Sequence, residues 1–311
     1  MKDFKLLLCV LLFPVAAMAQ GDAVRLLVAA PAGGGTDVVS RILIKEAAPL
    51  LNEAMLVQNI PAAGGVIAMS QMMQAPPNGK TLVAMANGSL TAIPHLIKVP
   101  FTADDYIPLL GVSSAPYVVC ASPAFPATNA KEFVEVLKAN PDKYTIGTDG
   151  GAGWLSTQRA LRALGASVRN ISYKGAAEIV VGFLGGHIDL YSGGTASILQ
   201  SSQTGKANCY LLTTADRSPS FPQAAGLNDF GIGSEETPLW RIVLAPKNTP
   251  PDIVARLEAA FLKAANSTAM RQFHTDNGEK FIVFQGEELR ARLKREYDGL
   301  GKVAQSLGLK P

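Results

Sequence analysis

The chain has 311 residues and a formal net charge of +3, from 28 Lys and Arg against 25 Asp and Glu. A charge this near to neutral, without any cluster of basic residues, argues against a nucleic-acid-binding protein, which normally concentrates Lys and Arg on one face. The length is at the limit of a single hydrophobic core and favours two lobes.

The first residues have the pattern of a secretory signal peptide. A short basic start is followed by an almost unbroken apolar run, Leu6–Val15, and then by the small-x-small cleavage pattern Ala17-Met18-Ala19. A membrane anchor is the alternative, but Pro14 interrupts the run, which is shorter than the roughly 20 residues that span a bilayer. We therefore expect export to the periplasm, with cleavage after Ala19.

Short apolar runs then alternate with helical periodicity, which is typical of an α/β fold with largely parallel strands. The run Val24–Ala30 predicts a strand that ends in the glycine-rich turn 31–35. Apolar residues at helical spacing, beginning at Val38, predict a helix after the turn. Thr36 or Asp37 is the predicted N-cap, and Asp37 is compatible either with orienting the loop or with meeting a donor on a ligand.

Two further strands are predicted before residue 90. Met55–Gln58 leads into the loop 59–65 and a helix, and Thr81–Ala86 ends at Asn87-Gly88-Ser89. Three strand-to-loop exits of this kind place loops along one sheet edge, where open α/β sheets bind ligands. For Asn87 and Ser89, ligand contact and simple turn formation are equally compatible with the sequence.

A second glycine-rich loop occurs in the middle of the chain. Tyr144–Gly147 predicts a strand, and Thr148–Gly153 predicts a loop that opens the next helix. Farther on, His187–Tyr191 predicts a strand whose Asp189 either lines a pocket or serves as a structural hydrogen-bond acceptor. Trp240–Ala245 predicts the strand that precedes the last helices.

The two glycine-rich loops are the candidate binding elements. A loop that leads into a helix exposes N–H groups beside the positive end of the helix dipole, so it can hold a carboxylate without a basic side chain. Either loop alone is equally typical of a simple helix cap, and it is their duplication that favours a ligand site. Neither loop has the Gly-Lys-Ser/Thr of a P-loop or the spacing of a dinucleotide fingerprint.

No catalytic or metal-binding pattern accompanies these loops. The motif Gly-x-Ser-x-Gly does not occur, and His95, His187 and His274 are isolated in sequence. Cys120 and Cys209 lie in apolar, strand-like segments, where a disulfide and two buried thiols are both compatible with the sequence. We expect a protein that is not an enzyme and uses no cofactor and no metal.

Six segments in a fixed order carry a family resemblance. They are Val28–Asp37, Asn59–Gly65, Pro76–Leu82, Tyr173–Gly175, Gly185–Asp189 and Ala245–Pro250. In order and spacing they resemble the Bug (Bordetella uptake gene) family of tripartite tricarboxylate transporter receptors, over effectively the whole chain.

The resemblance implies a two-lobed α/β periplasmic binding protein of type II, with a mostly parallel sheet flanked by helices in each lobe. Lobe 1 would comprise residues 20–119 and 240–311, and lobe 2 residues 120–239. The lobes would close about crossing strands near Val118-Val119 and Leu239-Trp240.

The implied function is that of a receptor that captures a small organic carboxylate and delivers it to the membrane subunits of a tripartite tricarboxylate transporter. We expect a monomer that does not bind nucleic acid. A sensory adaptor that binds the same ligand for a signalling partner is one alternative, and an enzyme acting on a small acid is a less favoured one.

Carried over by position, the resemblance also implies the residues that line the pocket. These are Gly33, Gly34, Thr36, Asp37, Asn87, Ser89, Thr148, Asp149, Gly150, Gly151, Gly153 and Asp189. Asp149 departs from the family's pattern, because a carboxylate beside an anion site repels a second carboxylate unless it points outward. We therefore expect a monocarboxylate with a hydrogen-bond donor, such as an amino acid, rather than a citrate-like acid.

Overall fold

The computed structural model describes residues 23–311, and the expected signal peptide lies outside them. The first of its two sheets has six strands: β1 (Val24–Val28), β2 (Met55–Asn59), β3 (Thr81–Ala86), β4 (Tyr106–Ala115), β10 (Leu239–Pro246) and β11 (Lys280–Phe284). Their spatial order is β11-β4-β10-β3-β1-β2.

Helices cover both faces of this sheet. One face packs against α1 (Gly35–Leu51), α8 (Pro251–Ala265) and α9 (Thr268–Asn277). The other packs against α2 (Val66–Met73), α3 (Gly88–Thr91) and α10 (Gly286–Ser306). Because side chains alternate along a strand, every strand except the edge strand β2 contributes apolar residues to both cores, which explains the nearly continuous apolar runs.

The second sheet has five strands: β5 (Tyr117–Ala121), β6 (Thr145–Thr148), β7 (Arg169–Ser172), β8 (Leu190–Gly194) and β9 (Asn208–Leu212). Their order is β7-β6-β8-β5-β9. One face packs against α4 (Ala130–Ala139) and α5 (Ala152–Ala163), and the other against α6 (Ala176–Leu184) and α7 (Thr195–Gln203). Each sheet therefore has its own double-sided core, and this confirms the α/β, two-sheet fold class.

The expectation of mostly parallel sheets was wrong, because four of the nine strand pairings in residues 23–311 are parallel and five are antiparallel. The antiparallel pairs involve β4, β5 and β10, which carry the chain between the sheets, and their outer neighbours β9 and β11. A strand that enters a sheet from the edge at which its neighbours end must be antiparallel to those neighbours.

One expected crossing point, Leu239-Trp240, adjoins an observed crossing, and the other is displaced by two residues. The first crossing is Pro116, between β4 and β5, and the second is the segment 213–238, between β9 and β10. The expected boundary and hinge at Val118-Val119 lie inside β5, where both residues are fully buried and paired with β8 and β9. The apolar run around Cys120 predicted a strand correctly, but it carried no information about which sheet the strand joins.

Cys120 and Cys209 form a disulfide, which resolves the alternative that the sequence left open. The two residues are paired neighbours on β5 and β9. None of the described helices combines the length and apolar character needed to cross a membrane.

Removal of the disulfide should destabilise the protein. The bond closes a loop with a sequence separation of 89 residues. Its loss frees the unfolded chain, so the double substitution Cys120→Ala and Cys209→Ala should lower the free energy of unfolding by about 2–4 kcal/mol. Urea unfolding with and without reductant measures this. Reductant should not change the free energy of unfolding of the double variant. If reductant also left that of the wild-type protein unchanged, the disulfide would not contribute to stability as expected.

Candidate functional site

The two glycine-rich loops lie at sheet edges that face each other. The carboxyl ends of β1, β3 and β4 share one edge of the first sheet, and those of β6, β8 and β9 share one edge of the second. Both crossings of the chain join these two edges. The loop after β1 and the loop after β6 therefore open into the same cleft between the lobes.

Side-chain packing brings the lobes into contact on one side of this cleft. A Cβ atom placed on Gly88 would lie 2.3 Å from the Cβ of Ala152, so the first turns of α3 and α5 touch. Next to them, Leu155 of α5 packs with Leu300 and Ala304 of α10 in one buried cluster. The beginning of α5 is thus held against the first lobe.

The first loop is organised by Asp37, a residue that is 2% exposed. Its carboxylate accepts hydrogen bonds from the N–H of Gly33 at 2.9 Å, from Nε of Arg41 at 2.9 Å and from Nδ2 of Asn59 at 2.8 Å. Burial raises the pKa of this carboxyl, but these bonds and the charge of Arg41 outweigh burial and lower the pKa to about 2. Asp37 therefore orients the loop, which was one of its two predicted roles.

The N-cap of α1 is Gly34, in an extended conformation, and not Thr36 or Asp37 as predicted. The N–H of Gly34 donates to the carbonyl of Pro31, and that of Gly33 donates to Asp37. The amides of Gly35, Thr36 and Asp37 form the first helical turn, where no carbonyl of the helix can reach them. Within the described residues these three amides have no acceptor.

The second loop also uses two of its amides internally. Thr148 Oγ1 accepts from the N–H of Gly150 at 2.8 Å, and Asp149 Oδ1 accepts from the N–H of Gly151 at 2.9 Å. The predicted use of these two glycine amides for a ligand is therefore not available in this conformation. The donors that remain are at the first turn of α5, beginning with Ala152 and Gly153.

Gly153 is required by close packing. A Cβ atom at this position would lie 2.7 Å from the ring of Tyr117, the first residue after the crossing at Pro116. Asp149 is exposed, and its carboxylate accepts directly from the N–H of the extended N-cap Gly151. Its negative charge reduces the positive potential at the start of α5.

Asn87 is not available to a ligand. It is buried, and its Nδ2 donates to the carbonyl of Pro238 at 3.0 Å and to Glu296 at 2.8 Å, while its Oδ1 accepts from the N–H of Trp240 at 3.0 Å. Of its two predicted roles the turn is correct, because its carbonyl accepts from the N–H groups of Leu90 and Thr91 where α3 begins, while its side chain ties β3 to β10 and α10. Ser89 packs against Gly65 in the adjacent loop, and its contact with a ligand stays a prediction.

Asp189 lies at the wrong end of the second sheet for a place in the cleft. Its carboxylate accepts from the N–H and the hydroxyl of Thr145, both at 2.7 Å. Thr145 begins β6, whereas the glycine-rich loop follows Thr148 at the other end of that strand. The prediction that Asp189 lines the pocket was therefore wrong, and the alternative that it is a structural hydrogen-bond acceptor was correct. The predicted strand at His187 begins only at Leu190.

Arg241 is a cleft residue that the sequence reasoning missed. It is on β10 with only 4% of its surface exposed, and a Cβ atom on Gly35 would lie 2.6 Å from its Nη2. Nη1 donates to Ser113 and to Glu279, and Nη2 donates to the other oxygen of Glu279 at 2.9 Å. A lone Arg in an otherwise apolar strand was the signal that could have revealed it.

A second hollow lies behind the crossing segments, beside β11. It has a volume of about 910 Å³ and is lined by residues such as Pro116, His274 and Lys280, but by none of the glycine-rich loop residues. Lys280 pairs with Asp216 of the second crossing at 2.6 Å. Throughout residues 23–311, no group of three or more His, Cys, Asp and Glu side chains could hold a metal ion.

These features define a class of protein: two mixed α/β lobes, crossed twice by the chain, with helix beginnings at a shared cleft, as in periplasmic binding proteins of type II. The solved structure of periplasmic binding protein BugD is similar, with a TM-score of 0.73 and 29% identity over 93% of this chain and 98% of that one. MatC from Rhodopseudomonas palustris with bound malate has a TM-score of 0.70 and 23% identity, over 94% of this chain and 100% of that one.

The family follows from the sequence comparison. Residues 39–309 match the tripartite tricarboxylate transporter family receptor. The UPF0065 protein in the gbd 5'region of Cupriavidus necator is 32% identical over 266 residues, which are 82% of this chain and 80% of that protein. The chain therefore belongs to the tripartite tricarboxylate transporter receptor family, and the resemblance to the Bug proteins is confirmed.

Asp37 should stabilise the protein in a pH-dependent way. Its pKa is about 2 in the folded protein and 3.8 ordinarily, so its contribution is complete above pH 4 and is lost as the pH falls toward 2. Asp37→Asn should lower the free energy of unfolding by about 2 kcal/mol at neutral pH, and this deficit should shrink below pH 4.

Denaturant unfolding from pH 7 to pH 3 measures this effect. The matched control is Asp149→Asn in the other loop, where the carboxylate is exposed and Asn still accepts from Gly151. This control should change the free energy of unfolding by less than about 0.5 kcal/mol. Equal effects of the two substitutions would show that Asp37 has no special role in the first loop.

Proposed function

We propose that the protein is a periplasmic receptor that binds a small carboxylate between its lobes and delivers it, chemically unchanged, to the membrane subunits of a tripartite tricarboxylate transporter. The observation that carries this proposal is the pair of helix beginnings in one cleft, α1 from the first lobe and α5 from the second. Membership in the receptor family supports the transport role.

The site holds its ligand mainly through main-chain donors. Gly35 and Thr36 offer first-turn amides on one side, and Ala152 and Gly153 offer them on the other. Each helix adds the positive end of its dipole, which favours an anion without any requirement for a basic side chain. Because Asp37, Thr148 and Asp149 hold the loops in place, the donors are positioned before a ligand arrives.

The ligand is a monocarboxylate that also carries a hydrogen-bond donor. The exposed carboxylate of Asp149 lies at the beginning of α5. It repels a second carboxylate on the ligand, and it can accept a hydrogen bond from a donor group there instead. MatC, whose fold is similar, has malate bound. The preference for one carboxylate rests on the two loops of this chain.

Closure of the cleft is a rotation about the two crossings. Pro116 is a single residue between two sheets, and the second crossing ends at Pro238, directly before β10. Closure removes water from the cleft and strengthens the bonds to the carboxylate. A disulfide is typical of an oxidising compartment, and together with the leader pattern it supports a periplasmic location.

A thermal-shift panel tests the proposed function. It comprises lactate, leucine and 4-hydroxybenzoate as monocarboxylates with a donor, then benzoate, malate, adipate and citrate. A ligand at a hundred times its Kd stabilises the folded state by about 2.7 kcal/mol, which raises the melting temperature by several degrees. We expect this from at least one acid of the first group and not from its primary amide. Consumption of the acid, or no response to any acid, would contradict the receptor function.

Removal of one main-chain donor should weaken the binding. Ala152 is the first residue of α5, where Pro is tolerated, and Gly151 before it has the extended conformation that a following Pro requires. Ala152→Pro deletes one N–H at the cleft. Since a hydrogen bond to a charged group contributes about 1.5–3 kcal/mol, affinity for the panel acid should fall about ten-fold or more.

The matched control is Ala130→Pro. Ala130 is the first residue of α4, after an N-cap with extended backbone, and lies away from the cleft. The substitution Ala130→Pro makes the same chemical change at a helix beginning, and the affinity for the panel acid in calorimetric titration should stay the same. If both substitutions left the affinity unaltered, the amides of α5 would not hold the ligand.

A further inference from the structure

Arg241 has two donors without an acceptor, and both are on one edge of its guanidinium group. Nη1 uses its two hydrogens on Ser113 and Glu279, and Nη2 uses one on Glu279. The remaining donors are Nε–H, which is buried without a partner, and the second hydrogen of Nη2. Nε and Nη2 form the edge that binds a carboxylate through two parallel hydrogen bonds.

This edge lies beside the beginning of α1. Nη2 is the side-chain atom that a Cβ on Gly35 would strike, at 2.6 Å, so a larger residue there would displace the guanidinium group. The free amides of Gly35 and Thr36 start at the same point. The charge of Arg241 is paired with Glu279, but its Nε–H and these helix amides all lack an acceptor, and an anion at this point would accept from both groups.

The guanidinium group is held from the opposite side. Glu279 occupies its far edge with both oxygens, and its carboxylate is nearly buried. Ser113 is an extra residue in a bulge of β4, opposite the junction of Trp240 and Arg241, and has a φ of +64°. A non-glycine residue in this conformation is strained, and here it places a hydroxyl between Arg241 and Glu279.

We propose that Arg241 is the specificity-determining residue of the cleft and receives the ligand's carboxylate on its free Nε/Nη2 edge, beside the amides of Gly35 and Thr36. The carboxylate end of the ligand then always docks on the first lobe. The amides of Ala152 and Gly153 complete the contacts to this carboxylate from the second lobe, and the ligand's own donor points to Asp149. This inference rests on the proposed function and adds to it the direction in which the ligand binds.

The buried position of Arg241 has two consequences. With 4% of its surface exposed, it binds the carboxylate out of water, where charge-assisted hydrogen bonds are stronger. Because Nε is enclosed in this conformation, the carboxylate must enter while the cleft is open. The first lobe therefore binds first, and closure of the second lobe follows.

Arg241→Lys tests the role of the Nε/Nη2 edge, because lysine keeps the positive charge and lacks the planar pair of donors. The probes are lactate, leucine and 4-hydroxybenzoate, each compared with its primary amide by calorimetric titration. For each acid that the wild-type protein binds, the affinity should fall about ten-fold or more, and the preference for acid over amide should fall with it. Arg292→Lys is the matched control, since Arg292 is also a mostly buried, ion-paired arginine, and it should change the affinity less than about three-fold.

A second measurement on the wild-type protein does not depend on how well the variant folds. In a nitrogen-15 NMR spectrum of arginine side chains, the Nε–H signal of Arg241 should move downfield when the bound probe acid saturates the protein. An unmoved signal in a protein that binds the acid would overturn the role of Arg241 and leave the proposed function intact, as would an Arg241→Lys protein that binds normally. If the wild-type protein binds none of the probes or other panel acids, both proposals fail.

Discussion

An amide N–H at the first turn of a helix has no partner within the helix, and the binding cleft of this protein depends on that constraint. The chain places two such helix beginnings, those of α1 and α5, at facing sheet edges. This placement requires the carboxyl ends of β1 and β6 to point at each other, which the antiparallel strands β5 and β10 make possible because each enters its sheet from that edge. Sheet direction thus determines where the donors lie.

The loops themselves are fixed by local bonds that leave only helix amides for a ligand. Asp37 holds the first loop through Gly33, Arg41 and Asn59, and Thr148 and Asp149 hold the second through Gly150 and Gly151. The two sides differ in the groups beside each helix beginning. The first lobe adds the free edge of a guanidinium group whose charge is paired with Glu279, and the second lobe adds an exposed carboxylate, so the first side offers donors and the second side also offers an acceptor.

Much of this fold could be predicted from the sequence, because apolar runs and glycine-rich turns are local signals. The strand at Thr81–Ala86 and the loops after β1 and β6 were correctly predicted for that reason. The errors concern contacts between distant segments. Asn87 is tied to Trp240 and Glu296, and Asp189 to Thr145 at the far end of β6. Arg241 was missed because its partners, Ser113 and Glu279, are 128 and 38 residues away in the chain.

Backbone amide chemical shifts test the central claim most directly, since they report the donors themselves. When the wild-type protein is saturated with an acid that it binds, the amide protons of Gly35 and Thr36 and those of Ala152 and Gly153 should all move downfield together. Shifts confined to one of the two helix beginnings, or concentrated around His274 and Lys280 in the hollow behind the crossings, would contradict a carboxylate held between α1 and α5.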